Sequence, residues 1–302
     1  MAWRKLGRVF NGGGSDPSLA SHAALPTVAP LDGDLVRVFY SGRDSENRSA
    51  VGTLVLRLGE TPHVEERTEA AILGPGPAGA FDDSGLGVGC VVPGQGGTPD
   101  RLYYMGWNLG RTAPWRNAIG MAEGEIASGV FHKPYEGPVL DRSIRDPFSM
   151  SYPWVRRDGD DWRMWYGTFS RWGTDPAQML VGMRQARSRD GVLWTPDPER
   201  FMDPRGEEVA VNRPCVADRP GGGFEMWFSG RGLGPYAVGH AVSSDLETWT
   251  RDEAALIAPD ADGWEGGEAA YPCVFDAAGR RWMLYNGARY GVTGFGLAVW
   301  EG

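Results

Sequence analysis

The chain has 302 residues, enough for two ordinary domains or for one large all-β domain, so composition has to decide between them. Its 45 glycines, 13 tryptophans and 10 tyrosines are typical of many short strands joined by tight turns. The formal net charge of −9, without a run of Lys or Arg, excludes the basic surface that nucleic acids require, so no nucleic-acid partner is expected.

The beginning of the sequence lacks an apolar stretch long enough for a secretory signal, and no membrane-spanning apolar run follows. We therefore expect a cytoplasmic protein without a membrane partner. The three cysteines, Cys90, Cys215 and Cys273, cannot form a complete set of disulfides and lie in no CxxC pair. Reduced, structural thiols are predicted, with no cofactor and no metal site.

A repeat of about 60 residues organises the sequence. Its clearest element is an aromatic strand ending in a small-residue turn, at residues 36–43, 102–107, 162–167, 224–231 and 282–287. A strand with a central glycine follows each copy, at residues 50–52, 118–120, 180–182, 237–239 and 294–296. A short element precedes each copy, and its first residues are Pro26, Gly89, Pro153, Pro214 and Pro272, which lie 63, 64, 61 and 58 residues apart.

This period is typical of four-stranded β-propeller blades. The sequence therefore predicts an all-β fold, a single five-bladed β-propeller over residues 1–302, with blades at about 19–80, 81–145, 146–206, 207–264 and 265–302. The last copy is one strand short. Residues 3–10 resemble the segments after Trp194 and Trp249, so we expect this N-terminal strand to complete the last blade and close the ring, which removes open sheet edges.

Carboxylates recur at the predicted mouth of the central channel. Antiparallel pairing places the start of each first strand and the end of each second strand at the same end of the propeller. Four of the five copies have an acid seven positions before the first residue of the short element, where the residues are Leu19, Asp82, Asp146, Glu207 and Glu265. Asp83 and Glu268 add two further acids nearby.

Arginines and aromatic residues are predicted at the same mouth. Arg43 and Arg231 end matching Ser-Gly-Arg turns, and Trp107 takes the equivalent place in the second copy. Carboxylates accept hydrogen bonds from sugar hydroxyls, arginines bind carboxylate or phosphate groups, and aromatic rings stack on sugars. A small saccharide or anionic sugar is therefore the expected partner. The predicted binding residues are His22, Arg43, Asp82, Trp107, Arg145, Tyr152, Arg213, Arg231, Tyr271 and Arg289. Trp172 is a further aromatic residue expected at this mouth.

Each of these residues also has a structural interpretation, because Asp caps backbone N–H groups in turns and acid–arginine pairs stabilise neighbouring blades. Asp83 and Glu268 are the preferred functional pair: Asp83 adjoins a second acid, and Glu268 follows two glycines. His22, the counterpart of Glu268 in the first copy, is either a titrating partner or a hydrogen-bonded wall residue.

Two local motifs accompany the repeat. Arg145-Asp146-Pro147 is similar to the Arg-Asp-Pro motif of invertases, and residues 188–194 and 243–249 share a Ser-x-Asp-x-x-x-Trp type of segment. With these motifs, the chain resembles the five-bladed propeller glycosidases, which include arabinanases, β-xylosidases, invertases and levansucrases, with mannoside phosphorylases as relatives. The resemblance implies that Asp146 stabilises the transition state. Relatives can bind calcium in the channel, but no contiguous loop here has calcium-ligand spacing.

We therefore predict a glycoside hydrolase-like enzyme acting on a small saccharide or sugar-containing intermediate. Its catalytic carboxylates would be Glu268 as general acid, Asp83 as base or nucleophile, and Asp146. Two alternatives remain open. One is glycosyl transfer or phosphorolysis on a phosphorylated or nucleotide-linked sugar, with Arg43, Arg213 and Arg231 binding the anion. The other is a glycan-binding propeller without catalysis, in which the acids are structural.

Overall fold

A computed structural model describes residues 2–175, 178–252 and 256–301. Its regular structure is almost entirely β-strand, which confirms the all-β prediction. The chain begins with β1 (Ala2–Phe10) and a single 3-10 turn at Pro17–Leu19. Within the described ranges, no helix is long and apolar enough to cross a membrane.

The next eight strands form two antiparallel groups. Unit one consists of β2 (Ser21–Pro30), β3 (Leu35–Arg43), β4 (Ser49–Arg57) and β5 (His63–Arg67). Unit two consists of β6 (Gly85–Val92), β7 (Asp100–Leu109), β8 (Trp115–Glu125) and β9 (Val130–His132). A parallel bridge between Ser49 and Gly85 joins the two units.

The following eight strands repeat this pattern. Unit three consists of β10 (Met150–Asp158), β11 (Asp161–Arg171), β12 (Leu180–Ser188) and β13 (Thr195–Met202). Unit four consists of β14 (Ala210–Asp218), β15 (Phe224–Arg231), β16 (Ala237–Ser243) and β17 (Thr250–Asp252). A parallel bridge between Val181 and Ala210 joins them.

The two ends of the chain meet in unit five. This unit contains β18 (Ala270–Ala277), β19 (Arg280–Asn286) and β20 (Phe295–Glu301), with a short helical turn at Ala288–Gly291. β1 pairs antiparallel with β20, so the N-terminal strand supplies the fourth strand of this unit, as the sequence predicts.

Neighbouring units are joined by apolar side chains. Each consecutive pair of units shares one buried cluster, and a further cluster joins units five and one. In that last cluster, Val38 and Tyr40 of β3 lie with Trp282 and Leu284 of β19. Burying one such side chain contributes about 1.5–3 kcal/mol. The five clusters therefore attach every unit to two others.

The recurrent glycine of the third strand makes room for an aromatic ring on the second strand. Tyr40 lies opposite Gly52, and Tyr104 lies opposite Gly120. A Cβ on Gly120 would lie 2.3 Å from Cζ of Tyr104, so only glycine fits. Unit three differs, because Tyr166 lies opposite Arg184 and not opposite a glycine. The glycine matched from sequence in that unit, Gly182, lies two residues away, opposite Thr168.

A bulge interrupts the first strand of every unit at the repeated Pro or Gly. In four units the residue before proline has positive φ, and these residues are Leu25, Tyr152, Arg213 and Tyr271. Such a conformation costs a non-glycine residue of the order of 1–3 kcal/mol. It also leaves backbone N–H groups without a hydrogen-bond partner on the neighbouring strand. Side chains of the preceding unit accept hydrogen bonds from two of them: Asn286 Oδ1 from Leu25 at 2.8 Å, and Ser229 Oγ from Tyr271 at 2.7 Å.

The three cysteines occupy equivalent positions, each directly after the repeated Pro or Gly. All three are free and buried, as expected for structural thiols. The Cys215 thiol accepts a hydrogen bond from the backbone N–H of Val274 at 3.1 Å, which joins units four and five. Among the residues that the structure describes, no group of three or more His, Cys, Asp or Glu side chains is arranged to hold a metal ion.

Candidate functional site

A cavity of about 460 Å³ lies where the first strands begin and the second strands end. Register confirms that these strand ends share one face, because Ser21 pairs with Arg43, Gly85 with Trp107, and Ala210 with Arg231. The polar and aromatic residues that line the cavity are Ser41, Arg43, Glu46, Asn47, Ser49, Trp107, Trp115, Asn117, Ser151, Tyr152, Phe169, Asn212, Arg231, Tyr236, Tyr271 and Tyr290. Five predicted site residues are therefore brought together here: Arg43, Trp107, Tyr152, Arg231 and Tyr271.

Arg43 is oriented by its surroundings on one side of this central cavity. Its guanidinium donates to the backbone oxygen of Asn47 at 2.7 Å and to the side-chain oxygen of the same residue at 3.0 Å. The rings of Trp107 and Tyr290 lie 5.4 and 5.5 Å from its guanidinium carbon. Trp107 is itself positioned by donating to Ser49 Oγ at 2.7 Å. No carboxylate in the described part of the chain forms an ion pair with Arg43, so its charge is available to a ligand.

Four tyrosines form one wall of the cavity. The ring of Tyr271 lies 5.7 Å from Tyr152, 5.5 Å from Tyr236 and 5.4 Å from Tyr290. Burial, with smaller contributions from neighbouring tyrosines, raises the pKa of both Tyr152 and Tyr271 well above the usual range. The wall is therefore neutral and combines aromatic faces with hydroxyl groups, the combination that a sugar ring contacts.

Arg231 lines the cavity, whereas Glu268 lies near Arg231 but is not among the residues that line it. Arg231 lies over the ring of Tyr236 at 5.1 Å, and its Nε has no hydrogen-bond partner among the described atoms. Glu268 is half-buried and accepts a hydrogen bond from the backbone N–H of Arg289 at 3.0 Å. Burial raises the pKa of Glu268, while backbone donors at Arg289 and Tyr236 and the Arg231 charge act in the opposite direction. Burial therefore favours the protonated form of the Glu268 carboxyl group.

His22 and Arg289 lie close to this group without lining the cavity. His22 is half-buried, and its Nδ1 is 2.9 Å from Ser21 Oγ. Burial and the nearby charges of Arg43 and Arg289 lower the pKa of His22, so its ring is neutral at pH 7. Arg289 is exposed, with φ of 60°.

Three buried polar groups in the cavity wall have no partner within the described residues. They are Asn117 Oδ1, Ser151 Oγ and Asn212 Oδ1, in side chains that are 5%, 1% and 3% exposed. A buried acceptor or donor left without a partner costs about 1–3 kcal/mol. Because all three residues line the same cavity, a polar ligand or ordered water there would satisfy them.

The carboxylates predicted at the start of the first strands lie inside the units and not in the cavity. Asp146 is fully buried and accepts hydrogen bonds from Tyr166 Oη at 2.9 Å, from Thr168 Oγ1, and from Arg184 Nε at 3.0 Å. Asp82 has the same arrangement, accepting from Tyr104 Oη at 3.1 Å and Lys133 Nζ at 2.6 Å.

Glu265 in unit five repeats the arrangement. It accepts from Tyr285 Oη at 2.6 Å and from Lys5 Nζ of β1 at 2.7 Å. In unit four, Glu207 is exposed and the neighbouring Glu208 pairs with Arg251. Asp82, Asp146 and Glu265 therefore each join the upstream loop to a strand and to a cation of their own unit, whereas Glu207 does not.

Three other predicted residues are also engaged elsewhere. Asp83 accepts from the backbone N–H of Gly79 at 2.9 Å and from Ser84 Oγ at 3.1 Å, so it caps its own turn. Arg213 is fully buried and donates to the backbone oxygens of Gly89 at 2.8 Å and Pro26 at 3.3 Å. Its side chain therefore connects unit four to units two and one. Arg145 is exposed and donates to the Pro196 oxygen at 2.9 Å.

Sequence reasoning missed several cavity residues. Ser151 and Asn212 have a usable signal, because each lies two positions before the repeated proline, and the equivalent Ala24 and Gly87 also line the cavity. Tyr236 and Tyr290 lie in the segments between second and third strands, where no repeated residue marks them.

No protein-family model matches the chain. Two curated relatives do, over 100% of this chain and 100% of their own length. The chain is 44% identical to Uncharacterized protein MT1551 over 305 aligned residues and 43% identical to Uncharacterized protein Rv1502 over 305, both from Mycobacterium tuberculosis.

Solved structures with the same fold include proteins that are named as carbohydrate-acting enzymes. The α-L-arabinofuranosidase PaAbf62A from Podospora anserina, in complex with cellotriose, has a TM-score of 0.71 at 12% identity and covers 100% of this chain and 97% of its own. A structure of the GH130 family of mannoside phosphorylases, described as containing glycoside hydrolases that target β-1,2 mannosidic linkages in Candida mannan, has a TM-score of 0.70 at 15% identity, covering 93% and 85%. These likenesses confirm the predicted resemblance of fold to the propeller glycosidases.

Proposed function

For this chain, which belongs to the family of the mycobacterial proteins MT1551 and Rv1502, we propose a glycoside-processing enzyme that binds a small saccharide in the central cavity. The observation that carries the proposal is the cavity lining. Arg43 and Arg231 face a tyrosine wall and three unsatisfied polar groups, and the half-buried Glu268 adjoins Arg231.

The architecture in this proposal is a closed five-bladed propeller. Its support is the repetition of four antiparallel strands in each unit and the apolar cluster that joins units five and one. The Asn286 side chain adds a polar link, because it accepts from the Leu25 N–H at 2.8 Å and donates to the Ala23 oxygen at 2.7 Å. A ring of this kind gathers residues from distant parts of the chain at one mouth.

Within the cavity, Arg43 and Arg231 would bind an anionic group of the substrate or of a second reactant. Guanidinium groups bind carboxylate and phosphate through charge-assisted hydrogen bonds, which are about twice as strong as neutral ones. The two arginines lie over different tyrosines of the wall, Arg43 over Tyr290 and Arg231 over Tyr236, so a sugar stacked on that wall would have a guanidinium group near each of these rings.

Glu268 would exchange the proton with the glycosidic oxygen. Burial raises its pKa, which is the direction that a general acid requires. Asp83 stays a predicted base or nucleophile, although its hydrogen bonds to Gly79 and Ser84 account for it as a turn cap. We assign Asp82, Asp146, Arg145 and Arg213 structural roles, because protein groups already bind their side chains.

Phosphorolysis is the second candidate reaction, and one specific observation favours it. Glu46, an exposed residue paired with Arg48, is the one acidic residue among the described residues that line the cavity. Hydrolysis by two carboxylates requires a second acid across the bond, whereas phosphorolysis uses phosphate as the nucleophile. Arg43 and Arg231 would bind that phosphate, and Glu268 would protonate the leaving oxygen.

The test is turnover of β-1,2-mannobiose and of nitrophenyl α-L-arabinofuranoside, each with and without inorganic phosphate. Glu268→Gln should lower kcat about 10²–10⁴-fold for the substrate that the wild type cleaves. The matched control is Glu199→Gln, an exposed glutamate on the outer strand β13, which should leave kcat unchanged. Phosphate-dependent cleavage would select phosphorolysis over hydrolysis.

Two outcomes would contradict the proposal. Full activity of Glu268→Gln would remove Glu268 as the proton donor. Saccharide binding by the wild type without turnover, under either condition, would favour the non-catalytic glycan-binding protein.

A further inference from the structure

A second cavity adjoins the central one. This side pocket has a volume of about 340 Å³, and its lining includes Arg111, Arg116, Arg142, Trp115 and Trp172. Leu109 and Trp115 line both cavities, so the two spaces meet at these side chains. The side pocket belongs to unit two and to the segments around β10 and β11 of unit three.

The three arginines of the side pocket are not used by the protein itself. Within the described residues, no carboxylate lies within ion-pair distance of Arg111, Arg116 or Arg142, and none of the residues lining the pocket is acidic. Other arginines of the chain do have acidic partners, as Arg163 and Arg187 do with Glu247. Three positive charges around one pocket repel each other unless an anion lies between them.

The pocket also has an aromatic wall. The rings of Trp115 and Trp172 lie 5.8 Å apart in an edge-to-face arrangement, and Phe169 packs against Trp172 at 4.3 Å. Both tryptophans are half-buried, so part of each ring faces solvent. Asn117, two residues after Trp115 on β8, contributes one of the unpartnered buried oxygens of the central cavity. A single ligand extending between the cavities could therefore contact aromatic, amide and guanidinium groups.

We propose that the side pocket is an anion-binding subsite for a phosphate or carboxylate that the saccharide carries beyond the sugar unit in the central cavity. This inference rests on the proposed function, and it narrows the substrate class to anionic saccharides. The chain has a net charge of −9. The unpaired arginines of the central cavity and the side pocket form a local positive region, which attracts anions although the average charge of the surface is negative.

The test is isothermal titration calorimetry with inorganic pyrophosphate, mannose 1-phosphate, digalacturonic acid and neutral β-1,2-mannobiose. The triple variant Arg111→Gln/Arg116→Gln/Arg142→Gln removes the charge of the side pocket. Its matched control, Arg157→Gln/Arg189→Gln/Arg219→Gln, removes the same charge where first and third strands end, at the opposite end of units three and four.

We expect the side-pocket variant to bind pyrophosphate and one of the two anionic sugars about 10–100-fold more weakly, because it loses charge-assisted hydrogen bonds. Mannobiose affinity and the control variant should be unchanged. Loss confined to mannose 1-phosphate identifies a phosphate as the anion, and loss confined to digalacturonic acid identifies a carboxylate. The separate variant Arg43→Gln/Arg231→Gln should lose sugar binding and retain the pyrophosphate binding that depends on the side pocket.

Equal weakening in the side-pocket variant and its control would overturn the subsite, since net charge would then explain it. Pyrophosphate binding lost only in Arg43→Gln/Arg231→Gln would also overturn it, while leaving the central cavity as the saccharide site. Conversely, pyrophosphate binding that depends on the side pocket, without binding or turnover of any sugar, would contradict the proposed function and not the anion site.

Discussion

The buried carboxylates of the units and the arginines of the cavities lie at the same end of the molecule but differ in their partners. Asp82, Asp146 and Glu265 each accept from a tyrosine and a cation. Arg43 and Arg231 have no acidic partner in the described structure. In the proposed function, the acids therefore stabilise the fold and the arginines bind the ligand.

The first copy of the repeat supports this distinction. There Leu19, 2% exposed, takes the place of the carboxylate and packs with Tyr40 in the apolar cluster between units five and one. An apolar side chain can substitute for the acid where no cation needs a partner. Packing at this position of unit one is therefore apolar and needs no carboxylate.

The largest expected effect on stability is that of Asp146→Asn. Arg184 is 5% exposed at its side chain, so the substitution leaves a buried guanidinium without its counter-charge. Breaking such a buried pair costs about 3–5 kcal/mol, measurable as the free energy of unfolding in urea. Asp161→Asn is the control, because its partner Arg189 is exposed and such a pair contributes about 0–1 kcal/mol.

Unchanged stability of Asp146→Asn with a loss of activity would contradict the structural role of Asp146. If Asp146→Asn unfolds at the wild-type urea concentration but loses activity, Asp146 acts as the resemblance to invertases implies, and the structural role is wrong.

A smaller loss of stability is expected for Ser229→Ala, which removes a contact from unit four to the bulge in the first strand of unit five. Ser229 is fully buried, and its hydroxyl accepts from the backbone N–H of Tyr271 at 2.7 Å. Removing it leaves that N–H unsatisfied and should cost about 1–3 kcal/mol of unfolding free energy. Ser244→Ala, at an exposed position, should cost nothing measurable. Equal stabilities of the two variants would show that the bulge does not depend on this contact.

The smallest expected effect is the pH dependence that Glu268 contributes. Burial raises its folded-state pKa above the ordinary 4.5, so its contribution to stability is complete below pH 4.5 and is lost as the pH rises through the folded pKa. Glu268→Gln stays neutral. It should therefore unfold at higher urea concentration than the wild type at pH 7, and this difference should shrink as the pH falls through the folded pKa towards 4.5.

The activity of the wild type should follow the same titration. As pH rises above the pKa of Glu268, the protonated fraction falls and so does kcat, on the alkaline side of the profile. A difference in urea midpoint that does not change with pH would show that the environment of Glu268 does not disfavour its charge.

The sequence by itself determined the all-β class, the five copies of the repeat, the pairing of the N-terminal strand with β20, and Arg43, Trp107 and Arg231 as neighbours at one mouth. These features follow from alternation and spacing along the chain, which antiparallel pairing converts directly into position.

Only the tertiary structure decided which polar residues are free. Whether Asp146 or Arg231 faces a ligand depends on a tyrosine or a cation that comes from another strand, and no local pattern specifies that partner. The same holds for Tyr236 and Tyr290, which reach the cavity from connecting segments outside the strands of the repeat. Leaving a buried charge without a partner costs too much free energy, so the charge pairs with a group that lies close to it in the folded structure.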